Sequence, residues 1–458
     1  MPDRIKKLRL PDLILNRRGT PTFKIILAIF GIALKLFFRR IETVNADTVP
    51  SGTGVIFVIN HPNGLVDPAL VFTALPRRIS FLAKSTLFKM PVISFLLKTV
   101  EALPVYRKLD AGEDVSKNQK TFEAAQRRLR SGGSIALFPE GVSHNSPKLL
   151  PMKTGAARIA LGAVSVGGGE PIDLRIVPVG LYYTNKTTFR SEVVLHFGES
   201  FSVAPVELDD EGQPQRDAVK VLTAKIEEAL REVTLNAETE AELHTASIAE
   251  QIFAAASEEN INLGDKLEFQ KRYVEEDTQN GMDNGLKNRL HEFDEKLNAI
   301  GLEPNHLSLA NLRRGFVVRQ ALFQTWVLVM LMPLSIFGAI LHFPAYQLCK
   351  LAAHLFSRHG ADDVASTVKV LAGMIFFPLT WLITAAILYF LSGSWMLAAA
   401  SIPFSFIAGY IALYSLEEAT EMSGWGRAIW HFLIQKEKFL RLFVERRELQ
   451  KQLNGIDN

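Results

Sequence analysis

The sequence predicts an α/β domain with a largely parallel central sheet flanked by helices, followed by a charged helical lobe and C-terminal transmembrane helices. Three observations predict it. Between about residues 45 and 205, short β-branched runs alternate with helical periodicities. From Val206 to Asn311 the chain is dense in Glu, Lys, Asp and Gln and has no strand pattern. From Ala321 to Leu416 it has long apolar runs with few charges.

The opening segment, residues 1–44, is basic and then apolar. Met1 to Arg18 is broken by Pro11, and the apolar run Phe23 to Phe38 ends in Arg39-Arg40 without a small-residue cleavage site, so it does not read as a cleavable signal peptide. The soluble part is therefore expected to stay cytoplasmic. Somewhat short of the roughly 20 residues of a span, Phe23 to Phe38 reads either as an interfacial or re-entrant helix whose basic flanks favour anionic headgroups, or as a buried helix of the soluble domain.

Within the domain at residues 45–205, Val55 to Ile59 follows two glycines and reads as a buried strand. Ile79 to Ala83, Ala102 to Tyr106, Ser134 to Phe138, Leu174 to Val179 and Val193 to Phe197 read likewise. Helical patterns lie between them at Pro68 to Leu75, Met90 to Thr99, Ser116 to Arg130 and Thr154 to Val166. In such a sheet the chemistry belongs at the strand ends and the loops after them.

The lobe at residues 206–311 has four polar helical patterns: Asp217 to Leu235, Glu240 to Ala256, Lys266 to Glu276 and Gly285 to Ile300. In the membrane region, residues 312–420, Ala321 to Leu341, Val370 to Leu391 and Trp395 to Leu416 are long enough to cross a bilayer. Pro344 to Phe356 has the spacing of a separate interfacial helix. Arg313, Arg314 and Arg319 precede the first span, and Lys436, Lys438 and Arg441 open the basic tail at residues 421–458. Both flanks thus look cytoplasmic, which three full crossings do not satisfy, and Pro333 marks the first segment as the one to bend and re-enter.

Composition narrows the function classes. A net charge of +3 with no basic tract interleaved with aromatics argues against nucleic acid. The single cysteine, Cys349, allows neither an intrachain disulfide nor a thiolate cluster, and its apolar setting suits a packed thiol. Few charges lie inside the apolar segments to form a transport pathway.

Three short motifs stand at predicted strand ends. In Asn60-His61-Pro62-Asn63-Gly64-Leu65-Val66-Asp67-Pro68, a histidine is followed by a carboxylate one turn later, the arrangement of a general base with an orienting partner. No serine or cysteine nucleophile is obvious, so direct attack by an acceptor hydroxyl is the simpler scheme. Phe138-Pro139-Glu140-Gly141-Val142-Ser143 is a tight turn that pushes Glu140 over the sheet edge, and Arg107 after Pro104-Val105-Tyr106 suits bidentate phosphate recognition. Each alone is common in surface turns; the constellation, in this order, is specific.

These segments resemble the four blocks of the glycerolipid acyltransferase family, which includes glycerol-3-phosphate and lysophosphatidate acyltransferases. The blocks are Asn60 to Asp67, Leu103 to Arg107, Phe138 to Ser143 and Ile176 to Gly180, and the longest stretch of likeness runs from Ser131 to Leu161. The resemblance covers roughly residues 20 to 205, and the lobe and spans beyond it resemble the layout of membrane glycerol-3-phosphate or dihydroxyacetone-phosphate acyltransferases. It implies His61 as general base and Asp67 as its charge partner. It also implies Arg107, Glu140 and Gly141 as contacts to a phosphate-bearing acceptor, with Ser143, Lys153 and Thr154 as further substrate contacts and Pro178 either structural or near the acyl donor. Backbone N–H groups near Gly141 are candidates for holding the oxyanion. One departure stands out: five residues, Pro62 to Val66, separate His61 from Asp67, where the family usually has four.

The implied activity is transfer of a fatty acyl group from acyl-CoA or acyl carrier protein, as co-substrate and without metal or other cofactor, to glycerol 3-phosphate or dihydroxyacetone phosphate. The alternatives are lysophosphatidate or another lysophospholipid as acceptor and, from a different class, an inert membrane scaffold or lipid-binding protein. The partners expected are the bilayer, the acyl thioester and the phosphate-bearing acceptor. An integral protein of a bacterial inner membrane, its catalytic domain on the cytoplasmic face, is the expected location.

Overall fold

The computed structural model describes residues 5–9, 20–75, 77–165, 172–255, 261–281, 284–307, 314–356 and 362–457. Pro11 in the basic opening segment and Arg313 before the first span lie outside the described residues. Two compact units are formed, one by residues 1–236 with 359–370, the other by residues 237–358 with 371–458.

The first unit is built on a sheet that has nine strands among the described residues. In chain order its elements are β1 (Ile5–Lys7), α1 (Pro21–Phe37), β2 (Arg40–Val44), β3 (Gly54–Ile59), α2 (Val66–Ala74), β4 (Ser80–Lys84), α3 (Pro91–Thr99) and β5 (Leu103–Val105). They continue through α4 (Asn118–Arg130), β6 (Ser134–Leu137), α5 (Gly155–Ser165), β7 (Leu174–Tyr183), β8 (Glu192–Phe197), β9 (Phe201–Ser202) and α6 (Arg216–Val233). The strand order is β1-β2-β8-β7-β3-β6-β4-β5, with β9 on β7. From β7 through β3, β6 and β4 to β5 every pairing is parallel, each crossover supplied by one of α2 to α5.

Strand β3 lies between β6 and β7, and all six of its residues, GVIFVI, are buried, which is why it reads as an unbroken apolar run. Ile56 and Val58 share one core with Leu129 of α4, Ala157 and Ile159 of α5, and Val219, Leu222 and Ile226 of α6. Helix α6 therefore belongs with the sheet, although its polar composition groups it with the lobe in sequence. Strands β1 and β2 likewise extend the sheet ahead of residue 45, β2 pairing parallel with β8. Both boundaries of the expected domain move outward for the same reason: tertiary pairing recruits segments too short or too polar to announce themselves.

Helix α1 starts at Thr20, whose hydroxyl accepts the Phe23 N–H at 3.2 Å, with Pro21 in the first turn. Leu27 and Leu34 are fully buried and Phe23 packs edge-on against Phe72 of α2, while Ile25 and Ile29 stay exposed. One face of the segment thus lies in the core, as the reading of a buried helix of the soluble domain requires, and one apolar face points outward.

The second unit is helical. Its elements are α7 (Glu240–Ala254), α8 (Leu263–Asn280), α9 (Asn284–Ala299), α10 (Arg314–Phe356), α12 (Trp395–Ile434) and α13 (Lys436–Asp457), together with the part of α11 (Asp362–Ser392) from residue 371 onward. Among the described residues, Thr325–Phe356, Ala365–Ser392 and Trp395–Ile434 are helices long and apolar enough to cross a membrane. Two expectations are corrected. Helix α10 runs unbroken through Pro333 and Pro344, so the first span neither bends back nor hands over to a separate interfacial helix. Close packing of α12 supports it: a Cβ on Gly338 would lie 2.1 Å from the Ala408 carbonyl oxygen, so the two backbones touch where only glycine fits. The basic tail packs on the lobe. Within α13, Arg446 is buried and donates to the Ala255 carbonyl at 3.0 Å, and Lys296 pairs with Glu445 at 2.7 Å, tying the tail to the lobe. Cys349 is buried within α10.

Candidate active site

The carboxyl ends of parallel strands gather the polar side chains, as expected for an open α/β sheet. Beyond Ile59, Asn60 continues the pairing with β7, its side chain accepting the Leu181 N–H at 2.7 Å and donating to the Leu181 carbonyl at 3.1 Å. The chain then turns through His61 to Leu65 into α2. His61 Nδ1 lies 2.8 Å from Asp67 Oδ2, with Asp67 wholly buried and the His61 side chain 17% exposed. Facing a carboxylate, Nδ1 carries the proton, which leaves Nε2 with its lone pair. Nε2 has no protein partner within hydrogen-bond reach among the described residues, and the ring stacks on Phe138 at 3.9 Å between centroids.

The extra residue between His61 and Asp67 is absorbed in the turn. Gly64 has φ +39°, in the left-handed region, and the Asn63 carbonyl accepts the Val66 N–H at 3.0 Å, so one residue is folded out of the path before α2 begins. The Asn63 N–H donates to Asp67 Oδ2 at 2.7 Å and the Tyr183 hydroxyl donates to Oδ1. Asp67 thus has donors on both oxygens, which holds its charge in a buried position. Burial, then the neighbouring Asp67 charge, push the Tyr183 phenol well above its usual range, keeping it a donor.

After β6, Phe138 to Gly141 forms a tight turn closed by the Gly141 N–H on the Phe138 carbonyl at 3.0 Å, with Gly141 at φ +79°. That bond occupies the Gly141 N–H and removes it as an oxyanion donor. Glu140 also differs from expectation. Its side chain is wholly buried; Oε1 accepts the His61 backbone N–H at 3.1 Å, and Oε2 accepts the Leu150 N–H at 2.9 Å and faces His144 Nε2. With both oxygens taken, Glu140 fastens this turn to the His61 turn rather than offering a carboxylate to a ligand. A backbone bond, His144 N–H to the His61 carbonyl at 3.1 Å, makes the same connection.

Arg107, beyond β5, reaches the same turn. Its Nη1 donates to the Gly141 carbonyl at 2.7 Å, while Nε and Nη2 hold Asp110 at 3.0 and 3.1 Å. Lys84, at the end of β4, meets Asp110 Oδ1, the oxygen that Arg107 Nη2 also bonds, at 2.9 Å. Arg107, and then Lys84, keep the Asp110 carboxyl below the usual carboxylate range. Two cations therefore share one carboxylate, and two of the five guanidinium N–H groups stay available to a ligand. Lys153 is exposed beside Gly141, its stem within van der Waals reach of the position a Gly141 Cβ would take, and its N–H donates to the Pro139 carbonyl at 2.7 Å. Thr154 is exposed next to it and Ser143 is half-buried in the loop. Pro178 stands apart, buried inside β7 in register with Val58, its carbonyl accepting the Gly198 N–H.

Four side chains escaped the reading of the sequence. His144 follows Glu140 at a spacing of four and could have been found from it. Tyr183, Lys84 and Asp110 carry no local signal, because the sheet alone brings them together.

Residues 40–182 match the family described as Acyltransferase, and residues 248–458 match the family described as Glycerol-3-phosphate acyltransferase 2 C-terminal domain. Glycerol-3-phosphate O-acyltransferase 2 of Saccharomyces cerevisiae is 26% identical over 60% of this chain and 39% of its own length. Glycerol-3-phosphate O-acyltransferase 1 of the same yeast is 25% identical over 76% of this chain and 58% of its own. This chain thus spans between about two fifths and three fifths of those relatives. The crystal structure of the 1-acyl-sn-glycerophosphate (LPA) acyltransferase PlsC from Thermotoga maritima aligns over 47% of this chain and 82% of that one at 16% identity, with a TM-score of 0.33. The chain thus carries an acyltransferase domain at residues 40–182, followed by a glycerol-3-phosphate acyltransferase 2 C-terminal domain at residues 248–458 that holds helices long and apolar enough to cross a membrane.

Proposed function

We propose that the protein transfers a fatty acyl group from acyl-CoA or acyl carrier protein to a hydroxyl of glycerol 3-phosphate or dihydroxyacetone phosphate. The observation that carries this reading is the His61–Asp67 pair at 2.8 Å, with Nε2 unpartnered at the end of the parallel strands. The acceptor hydroxyl attacks the thioester carbonyl as His61 Nε2 takes its proton, and Asp67 stabilises the imidazolium that forms. The C–S bond then breaks, and the thiolate leaves with the proton returned from His61. Holding donor and acceptor together supplies a large part of the rate.

The remaining N–H groups of Arg107, with Lys84 and Lys153, suit the acceptor phosphate. Ser143 and Thr154 flank the same turn and are proposed as lesser contacts. The match of residues 248–458 and the names of the two yeast relatives favour glycerol 3-phosphate over lysophosphatidate as acceptor. Apolar helices suit lipid substrates, since each methylene kept from water is worth about 0.8 kcal/mol. Lys436, Lys438 and Arg441, after the last apolar helix, favour the cytoplasmic face for the tail they belong to. A bacterial inner membrane finds no support in the two relatives, which are yeast proteins.

The test is acyl transfer by the full chain in detergent, with labelled acyl-CoA or acyl carrier protein and glycerol 3-phosphate, dihydroxyacetone phosphate or lysophosphatidate offered separately. Product from one of the first two acceptors is expected. Product from lysophosphatidate alone would move the acceptor, and no product from any pairing would turn the reading to a lipid-binding scaffold.

A further inference from the structure

The turn that carries His61 is held by a segment some 300 residues away. At the start of α2 the Asn63 carbonyl accepts the Val66 and Asp67 N–H groups at 3.0 and 3.3 Å, and the N–H of Leu65, the residue before the helix, needs an acceptor from elsewhere. Thr367 provides one: the Leu65 N–H donates to Thr367 Oγ1 at 3.0 Å. Ser366, wholly buried, donates its hydroxyl to the Lys186 carbonyl. That same carbonyl accepts Asn63 Nδ2 at 3.2 Å, and Lys369 Nζ donates to the Thr187 carbonyl at 2.7 Å. The opening turns of α11 therefore grip both the 63–65 turn and the 186–187 loop beyond β7, all within the sheet-bearing unit. Asn63 links this grip to the chemistry, since its own N–H fixes Asp67 Oδ2.

We propose that Ser366 and Thr367 are positioning residues for acyl transfer: through Leu65, Lys186 and Asn63 they hold the His61–Asp67 pair in register from the start of an apolar helix. The turn needs such support. It contains one residue more than the usual family spacing and bends through a left-handed glycine, so its backbone has other conformations within reach. Misplacing a base by about 1 Å can cost about a hundredfold in rate, so two hydroxyls that touch no substrate still govern turnover. Helix α11 runs on to Ser392 as a helix long and apolar enough to cross a membrane.

The kinetic part of this proposal rests on the acyl-transfer reading; the structural part does not, and the experiment separates them. Full-length wild type, Thr367→Val, Ser366→Ala, the double variant and Thr367→Ser are compared in lipid nanodiscs. Hydrogen exchange is followed by mass spectrometry for peptides covering residues 60–68 and, as reference, β6. Exchange in residues 60–68 is expected to rise about fivefold in Thr367→Val, the factor corresponding to a hydrogen bond of about 1 kcal/mol, with β6 unchanged. With turnover, kcat falls about tenfold, both KM values stay within about twofold, and Thr367→Ser restores kcat. Unchanged exchange and kcat in the double variant would overturn the proposal, as would exchange rising equally in β6, which marks general loosening. Should the double variant not fold, Thr367→Ser against Thr367→Val decides: equal exchange and equal kcat in those two also overturns it. An inactive wild type defeats the acyl-transfer reading, and the exchange pattern alone then decides whether α11 holds the turn.

Discussion

The two turns that meet over the ends of β3 and β6 differ in what they leave unsatisfied. In the His61 turn, the Asp67 oxygens and His61 Nδ1 are engaged while Nε2 has no protein partner. In the Phe138–Gly141 turn, both oxygens of Glu140 and the Gly141 N–H are consumed by the protein itself. One turn leaves a lone pair without a protein partner, and the other uses its polar groups to hold shape. Motif residues of equal prominence in the sequence therefore do unequal things, and buried charge follows the rule that it persists only where fully partnered.

Substitutions can break or sharpen this contrast. The largest effect is expected from His61→Ala, which removes the free base and should lower kcat about a thousandfold with little change in melting temperature. Asp67→Asn keeps the shape but no longer fixes the tautomer or stabilises the imidazolium; a loss of about a hundredfold in kcat/KM is expected, measured across pH 6 to 9. Arg107→Ala should raise KM for the phosphate acceptor about tenfold while KM for the thioester stays level, and Arg107→Lys should recover little of it because a lysine cannot reproduce the fork.

Tyr183→Phe is the mildest. It leaves Asp67 Oδ1 short of a donor, so a drop of about 1–3 kcal/mol in stability and about a threefold loss of kcat are expected. Its pH dependence has a fixed sign. Because the folded phenol titrates above the usual tyrosine value, its contribution is whole below about pH 10 and is lost as pH rises from there through the folded value. The difference in melting temperature between wild type and Tyr183→Phe should therefore be flat from pH 6 to about 10 and shrink above.

Much of this was legible in the sequence, for identifiable reasons. Strands β3 to β8 are apolar, β-branched runs that periodicity and turn residues delimit, and His61, Asp67 and Arg107 stand one or two steps beyond such runs or one turn further. Strand β2 was not legible, because Arg40, Glu42 and Thr43 in it are polar; Glu42 is buried with Arg40 bonding it at 2.6 Å. Nor was the engagement of Glu140, since its partners Leu150 and the His61 N–H are ordinary backbone groups with no sequence signature. Tyr183 and Thr367 were invisible for a third reason: 116 and 302 residues separate them from the groups they bond. Local pattern locates a strand end, but only the assembled fold tells which polar atoms there are already occupied.

The proposed reaction is direct attack of the acceptor hydroxyl on the thioester, with His61 as base and no acyl-enzyme. It is tested by mixing the protein with labelled acyl-CoA in the absence of acceptor, quenching in denaturant, and measuring both released thiol and label retained on the protein. The account predicts neither a burst of thiol nor retained label until acceptor is added. A stoichiometric burst with label left on the denatured chain would contradict it.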